Sequence, residues 1–367
     1  MDPQTYFSPT FAKARQKFLA AAAAAGAQLR AIAHPLAGPD GSPLATDVAV
    51  LGPPGATRRL VLISATHGVE GHCGSGVQVA LLRSGALNDL PADLAVVLVH
   101  AINPHGFAWT RRVTEDNVDL NRNFVDFSGP LPENPAYDRL FDAINPPNLS
   151  PDVMAAARET LRAYSSAHGA MAMQAAVSSG QYRHANGVWY GGSQPTWSRL
   201  TLEEIAGHEL AGATAVAAID FHTGLGPFGY GEIITELAPD DPLFALAQTW
   251  YGDGVTSTIS GNSTSARLTG TMDGGLARAL APAWLSYVAL EFGTRPTSVV
   301  LDAVRQDNWL HLHGDLGSAQ GKAIKALIRD AFYPDDDAWR TAVLARASSV
   351  VAGALQGLGR RATSSTS

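Results

Sequence analysis

The sequence predicts an α/β fold in which helices flank a mostly parallel, mixed central sheet. Two apolar runs, at residues 59–65 and Leu94 to Ile102, are nearly continuous, as is typical of strands buried on both faces. Helical patterns alternate with strand patterns along the chain, which favours a helix-covered parallel sheet. The 367 residues, 46% of them hydrophobic, are enough to bury a large core.

Further elements are predicted before and between these two strands. Residues 8–25 are predicted to form a helix with Ser8 and Pro9 as its cap and first turn. The remaining predicted elements are strands at Gln28 to Ala33 and Thr46 to Leu51, a turn at 38–43 and a helix at 74–84.

Between about 126 and 200 the regular pattern weakens, and prolines become frequent. We interpret this stretch as an insertion on the carboxyl edge of the sheet, long enough to shape a substrate pocket. It contains predicted helices near 135–144 and 151–175 and a turn-rich loop around Trp189. A capping box, Thr201 to Glu204, predicts the start of the next helix.

The second half of the sheet returns after the insertion. The predicted strands are Ala215 to Phe221, Gly231 to Glu236 and Leu285 to Phe292, and the predicted helices are 297–312, 317–331 and 336–355. Residues 1–356 are therefore predicted to form a single catalytic domain that carries the insertion. The Ser/Thr/Gly/Arg-rich residues 357–367 are predicted to be a disordered tail.

Composition excludes several classes of function. The net charge of −7, from 26 basic and 33 acidic residues without long blocks of either sign, argues against a nucleic-acid partner. No apolar run reaches the ~20 residues that span a bilayer, and no signal peptide is recognisable, so no membrane partner is expected. The single cysteine, Cys73, cannot form an intrachain disulfide, and we expect a cytoplasmic protein.

The stretch that follows the strand at 59–65 carries candidate chemistry. It presents His67 and Glu70 three positions apart, between glycines, at the carboxyl edge where open α/β sheets bind ligands. An imidazole and a carboxylate on one turn are two of the three protein ligands that a catalytic Zn²⁺ site needs. In isolation, a turn histidine and a solvated glutamate are the favoured interpretation of this pair, because short motifs recur by chance.

Three further segments place polar residues where strands end. The first, after the strand at 94–102, contains Arg111, Arg112, Asn121 and Arg122, and guanidinium groups suit carboxylates. The second is a strand that ends in His222. The third is an apolar strand that carries a single carboxylate, Glu291, whose burial is costly unless it is paired or used.

Taken together, four motifs resemble the zinc carboxypeptidase superfamily. They are His67-x-x-Glu70, Asp119-Leu-Asn121-Arg122-Asn-Phe, Asp220-Phe-His222 and Glu291. The resemblance is to the aspartoacylase/succinylglutamate desuccinylase side of the superfamily and to uncharacterised bacterial carboxypeptidase-like relatives of the DUF2817 type. It covers residues 59 to 294, about two-thirds of the chain, and implies a carboxypeptidase-like (phosphorylase/hydrolase-like) fold.

The resemblance implies roles for these residues. His67, Glu70 and His222 would bind one Zn²⁺ per chain, and Glu291 would be the general base. Asn121 and Arg122 would hold the substrate carboxylate or polarise the scissile carbonyl, and Asp119 or Asp220 could orient a ligand histidine. The expected activity is hydrolysis of an amide bond in a small peptide or an N-acyl amino acid.

Several alternatives stay open at the level of sequence. Arg111 and Arg112 both compete for the role of polarising the carbonyl, with Arg112 preferred. Arg122 could instead be a structural ion-pair partner of Asp119, and Glu291 could be paired with Arg295. The substrate-capping tyrosine of peptide-cleaving members has no clear counterpart; the candidates are Tyr230, Tyr251 and Tyr287. The alternative functions are an esterase or other amidohydrolase, and a non-catalytic module that binds a metal or ligand. The sequence predicts no oligomeric state.

Overall fold

A computed structural model describes residues 2–364, and the side chains of residues 2–359. Eight strands form one sheet in the order β1-β2-β4-β3-β5-β8-β6-β7. The strands are β1 Gln28–Ala37, β2 Pro43–Leu51, β3 Arg58–Ile63, β4 Leu94–His100, β5 Ala215–Thr223, β6 Gly231–Thr235, β7 Val255–Ser257 and β8 Trp284–Phe292. The predicted α/β architecture with a mixed sheet is confirmed.

The middle of the sheet is parallel and its margins are mixed. Strand β3 runs parallel to β4 and β5, and β5 runs parallel to β8. Strands β1 and β2 join antiparallel at one margin, while β6 is antiparallel to β8 and parallel to β7 at the other. The carboxyl ends of β3, β5 and β8 therefore meet at one edge of the sheet.

Twelve helices are present in the described part of the chain. They are α1 Phe11–Ala24, α2 Gly71–Ser84, α3 Pro104–Ala108, α4 Pro135–Ile144, α5 Pro151–His168, α6 Ala170–Ser178, α7 Trp197–Glu209, α8 Pro242–Tyr251, α9 Met272–Leu280, α10 Thr297–His313, α11 Ala319–Phe332 and α12 Asp337–Ser364. Single 3₁₀ turns occupy Pro3–Thr5, Gly68–Glu70 and Leu120–Arg122.

Both faces of the sheet are covered by helices. On one face α1, α2, α8 and α12 pack side chains such as Phe18, Val77 and Trp339 against the strands. On the other face α7 and α9 contribute Ile205 and Leu276, together with their neighbours, to a second core. Burial on both faces explains why β3 and β4 are apolar throughout.

Helix α12 corrects one prediction and bears on another. It continues through residues 357–364, and Leu358 is fully buried, so the predicted disordered tail is wrong there; residues 365–367 lie outside the described part of the chain. Over Asp337–Gly359 the helix is also long and apolar enough to cross a membrane, a test that core helices of soluble proteins pass as well. Here Trp339, Val343 and Leu358 pack in the core of the sheet domain.

The insertion forms a layer of three helices, α4, α5 and α6. Its apolar side chains, including Tyr137 and Leu161, pack in one cluster with Val304 of α10 and Phe332 of α11. The Tyr137 hydroxyl donates to the carbonyl of Val188, which fixes the following loop. The predicted helix at 151–175 is divided at Gly169, whose φ of +91° interrupts it.

Several helix starts and four short elements differ from the predictions. Helix α1 is capped by Thr10 rather than Ser8, since the Thr10 hydroxyl accepts the N–H of Lys13. Helix α7 begins four residues before the predicted capping box, because the Thr196 hydroxyl accepts the N–H of Arg199. The short elements α3, α8, α9 and β7 were not predicted.

Candidate metal centre

The His67–Glu70 turn lies at the carboxyl end of β3 and leads directly into α2. The turn is held by the loop that follows α3: the N–H of Gly68 donates to the carbonyl of Arg112 (3.0 Å), and the N–H of Val69 to that of Arg111 (2.7 Å). A side chain at Gly68 would meet the backbone of Gly106 at 2.0 Å. The glycine after His67 is therefore required by this close approach.

His222 and Glu291 reach the same edge from neighbouring strands. Strands β5 and β8 are parallel, and these two residues are directly paired in register. Both side chains are buried, at 3% and 8% exposure. The strand pairing thus brings together residues that are far apart in the chain.

The three predicted ligands converge. Nδ1 of His67 lies 2.9 Å from one oxygen of Glu70, and Nδ1 of His222 lies 3.3 Å from the other. One ligand atom from each of the three residues lies within 4.8 Å of the others, and among the described side chains no other such group of three occurs. Two imidazoles and one carboxylate match the donor set of a catalytic zinc site.

A buried aspartate faces the opposite nitrogen of each histidine. Nε2 of His67 lies 3.1 Å from Asp119, and Nε2 of His222 lies 2.6 Å from Asp220. Asp220 is itself held by the hydroxyls of Thr66 (2.9 Å) and Tyr287 (2.8 Å). These carboxylates leave both Nδ1 atoms facing Glu70, as in histidines that are oriented toward a metal. The residues therefore fit Zn²⁺.

The charges of this cluster perturb its titration. Burial works against the charged form of His222, but Asp220 and Glu70 outweigh it and raise the pKa of His222 well above its ordinary value. Burial likewise opposes ionisation of Asp119, whereas Arg112 and His67 hold its pKa well below the ordinary value. The site is a set of compensating charges, which is typical of functional centres.

Glu291 is a buried carboxyl with little to stabilise its charge. Burial and the neighbouring charge of Glu70 raise its pKa to about 8. One of its oxygens accepts the N–H of Leu225 (2.9 Å). Arg295 is paired with Asp330 instead, at 2.7 and 2.9 Å, so the alternative pairing of Glu291 with Arg295 is wrong. A cation held by His67, Glu70 and His222 would favour the charged form of Glu291.

The structure separates the two adjacent arginines. Arg112 lines the site, with its nitrogens 3.0 Å from Asp119, 3.2 Å from Glu70 and 2.8 Å from Nε2 of His67. Arg111 turns away: it donates to Asn117, and its Nε lies 3.6 Å from Asp307 of α10. Of the two arginines, Arg112 lines the cavity and Arg111 does not.

Asn121 and Arg122 both line the cavity but are also engaged with the protein. The Asn121 side-chain oxygen accepts the N–H of Met272 (2.8 Å). Arg122 is 2% exposed and donates to the carbonyls of Ser178 and Asn121, while its nearest approach to Asp119 is 3.9 Å. Arg122 thus anchors the end of α6 in addition to bordering the site.

These residues surround one cavity of about 330 Å³, a size that suits a small molecule. Its walls differ in chemistry. The apolar half, defined by eight residues, consists of Ala170, Met173, Val177, Trp189, Val300, Leu301, Val304 and Phe332. A second group of lining residues, called the polar half, consists of Asn121, Arg122, Glu236, Asp273 and Tyr287.

The sequence did not single out Glu236 and Asp273. Burial raises the pKa of Glu236 to about 7, although Thr258 donates to it. One oxygen of Asp273 is buried without a hydrogen-bond partner among the described residues. Glu236 directly follows β6, and a carboxylate just past a buried strand is the pattern that could have identified it. Of the three tyrosine candidates, only Tyr287 lines the cavity.

Comparison with protein-family models gives one match, to the family described as "Protein of unknown function (DUF2817)", over residues 7–346. The chain belongs to the DUF2817 family. No curated protein matches it. The predicted relationship is therefore confirmed at the level of the family.

Solved structures show the same fold as this DUF2817 protein. Bovine thrombin-activatable fibrinolysis inhibitor, in complex with tick carboxypeptidase inhibitor, matches with a TM-score of 0.53 at 10% identity, over 97% of this chain and 98% of that chain. A second structure of thrombin-activatable fibrinolysis inhibitor gives 0.50 at 9% identity, over 95% and 73%. An aspartoacylase family protein from Mesorhizobium loti gives 0.36 at 14% identity, over 80% and 69%. The first two matches confirm the carboxypeptidase-like fold.

Proposed function

We propose that this DUF2817 protein is a zinc-dependent hydrolase that cleaves an amide bond, as a carboxypeptidase or an N-acyl-amino-acid deacylase. The observation that carries the proposal is the convergence of His67, Glu70 and His222 within 4.8 Å. Glu291 is in register beside His222. The fold shared with carboxypeptidase structures supports it.

The ion would supply Lewis acidity, which makes water a competent nucleophile near neutral pH. Glu291 accepts the proton of the attacking water and delivers it to the leaving amine. Arg112 stabilises the negative charge that develops on the carbonyl oxygen. Asp119 and Asp220 keep the histidines oriented.

The test of the mechanism is Glu291→Gln. The amide keeps the shape of the side chain but cannot accept the proton, so kcat should fall by about 10²–10⁴-fold. Zinc content, measured by elemental analysis, should stay at one ion per chain. Undiminished turnover in this variant would overturn the assignment of Glu291 as the base.

The test of the metal centre is His222→Ala, with His208→Ala as its control because His208 is exposed on α7. Loss of one of three ligands should strip zinc from the first variant and leave it in the second. A His222→Ala protein that still purifies with stoichiometric zinc would contradict the ligand set.

Peptides, N-acyl amino acids and esters separate the substrate classes. Turnover of amides but not of esters supports the proposal. Preferential ester cleavage would indicate an esterase on the same centre, and binding without turnover would indicate a non-catalytic module.

A further inference from the structure

The apolar half of the cavity is built mainly by two helices. On α6, Ala170, Met173 and Val177 recur at the spacing of one helical face, and all three line the cavity. On α10, Val300 and Val304 do the same. Trp189 and Phe332 complete this wall.

These side chains border open space that adjoins the proposed catalytic centre. Apolar walls offer water few hydrogen bonds, so filling such a space with an apolar group is favourable. Ligand sites commonly combine a predominantly apolar lining with a few placed polar groups. The cavity shows this combination: uncharged polar side chains, Gln174 and Ser178 of α6 and Thr297 of α10, lie among the apolar residues of these helices, and the charged groups are at the metal ligands and in the polar half.

The two halves differ in what they can bind. The polar half contains Arg122 and Asn121, which can hold a carboxylate and an amide. The apolar half has no charged side chain among its eight residues. We propose that the apolar half holds a bulky apolar acyl group of the substrate, while the amino-acid part occupies the polar half. This inference rests on the proposed function and narrows its substrate to amino acids that carry a large hydrophobic acyl group.

Because α6 belongs to the insertion, the inference also makes the insertion one determinant of specificity, together with α10. Met173 is the most informative position, because it lies on the cavity wall in the middle of α6. Met171, on the same helix, is 44% exposed and does not line the cavity. The same substitution at these two positions therefore gives a matched pair.

The first experiment measures kcat/KM of the zinc-loaded full chain on N-acyl amino acids with straight acyl groups from acetyl to dodecanoyl. For the wild type we expect a rise of about fourfold per buried methylene until the space is filled. Met173→Asp should abolish this dependence, and Met171→Asp should preserve it. Rates that do not depend on acyl length, or equal behaviour of the two variants, would overturn the inference and leave the metal-centre assignment intact.

A second pair guards against misfolding of the first. Val300→Phe adds volume inside the apolar half. Its control is Val299→Phe, because Val299 is 36% exposed and does not line the cavity. Val300→Phe should shift the optimum of kcat/KM toward shorter acyl groups, and Val299→Phe should leave the optimum unchanged. An unchanged optimum in a folded Val300→Phe protein would contradict the assignment.

A binding measurement separates this inference from the proposed function. Calorimetric titration with decanoate and with acetate requires no turnover. Decanoate should bind the wild type at least roughly tenfold more tightly than acetate, and Met173→Asp should remove that preference. If this holds but no substrate is hydrolysed, the apolar subsite stands and the proposed reaction falls. Equal binding of the two acids would overturn the subsite.

Discussion

At the scale of single residues, the site depends on which side chain of an adjacent pair reaches it. Arg111 and Arg112 are chemically identical, and the sequence favoured Arg112 without excluding Arg111. In the structure only Arg112 lines the cavity, because Asn117 and Asp307 bind the guanidinium group of Arg111 away from it. Contacts between residues nearly 200 positions apart cannot be read from a local pattern.

Arginine-to-lysine exchange at these two positions should have different effects. Lysine lacks the planar fork by which Arg112 reaches Asp119 and Glu70 together, so Arg112→Lys should lower kcat by about 10²-fold or more. Arg111→Lys should leave kcat little changed and lower the melting temperature. Steady-state kinetics and thermal unfolding measure both, and a larger kinetic loss for Arg111→Lys would reverse the assignment.

The aspartates behind the histidines give a second prediction. Asp220→Asn weakens the orientation of His222 without touching the ion, so zinc affinity should fall by about 10–100-fold. Competition with a chelator of known affinity measures the change. Asp273→Asn, a similar exchange in the polar half, should leave zinc affinity unaltered; an equal loss in both would point to a general effect on the cavity.

At the scale of secondary-structure elements, long apolar strands were predictable and helix starts less so. Strands β4, β5 and β8 begin within one residue of their predicted positions, because burial on both faces leaves an unmistakable apolar run. The start of α7 was misplaced because Thr201 fits a capping pattern, yet the chain is capped at Thr196. Which of two suitable hydroxyls caps a helix depends on how the preceding loop arrives.

Alanine substitution of two glycines, one inside a helix and one at a helix end, should change the free energy of unfolding in opposite directions. Gly207 lies exposed inside α7 with open space around it, so Gly207→Ala should stabilise the protein by about 0.5–1 kcal/mol. Gly85 ends α2 with a φ of +75°, so Gly85→Ala should destabilise it by about 1 kcal/mol. Denaturant unfolding compares the two, and a shift of the same sign for both would contradict the described conformations.

At the scale of the whole molecule, the sequence was sufficient for the architecture and for the three side chains that converge at the candidate metal centre, but not for the cavity. The motifs identified residues at strand ends, because parallel strands place their carboxyl ends together. The contribution of α6, α10 and α11 to one wall could not be predicted, since it depends on how the insertion packs against distant helices. The cytoplasmic location and the small-molecule partner stay predictions.

Acid stability offers a prediction for the molecule as a whole. His100 is fully buried beside Ser75 and Phe18, and burial lowers its pKa to about 3. Below about pH 6.5 the unfolded chain binds a proton there that the folded chain does not, so stability falls as pH decreases from about 6.5 toward 3. The expected slope from this residue is about 1.4 kcal/mol per pH unit.

His100→Gln should flatten that dependence by the same amount, although the substitution itself lowers stability at neutral pH. Denaturant unfolding of both proteins at several pH values, with zinc removed by a chelator, gives the two slopes. Parallel pH profiles would show that His100 does not titrate between the folded and unfolded states.

The pairing of His222 with Glu291 has a further consequence. Since neighbouring side chains of a strand point to opposite sides of the sheet, deleting one residue within β8 would turn Glu291 away from the cleft while leaving every atom of its carboxyl group intact. The relative position of His222 and Glu291 is therefore fixed by the backbone hydrogen bonds between β5 and β8, and not by the packing of side chains. A designer could exchange side chains of the cavity walls and keep these two residues together, as long as the two strands keep their alignment.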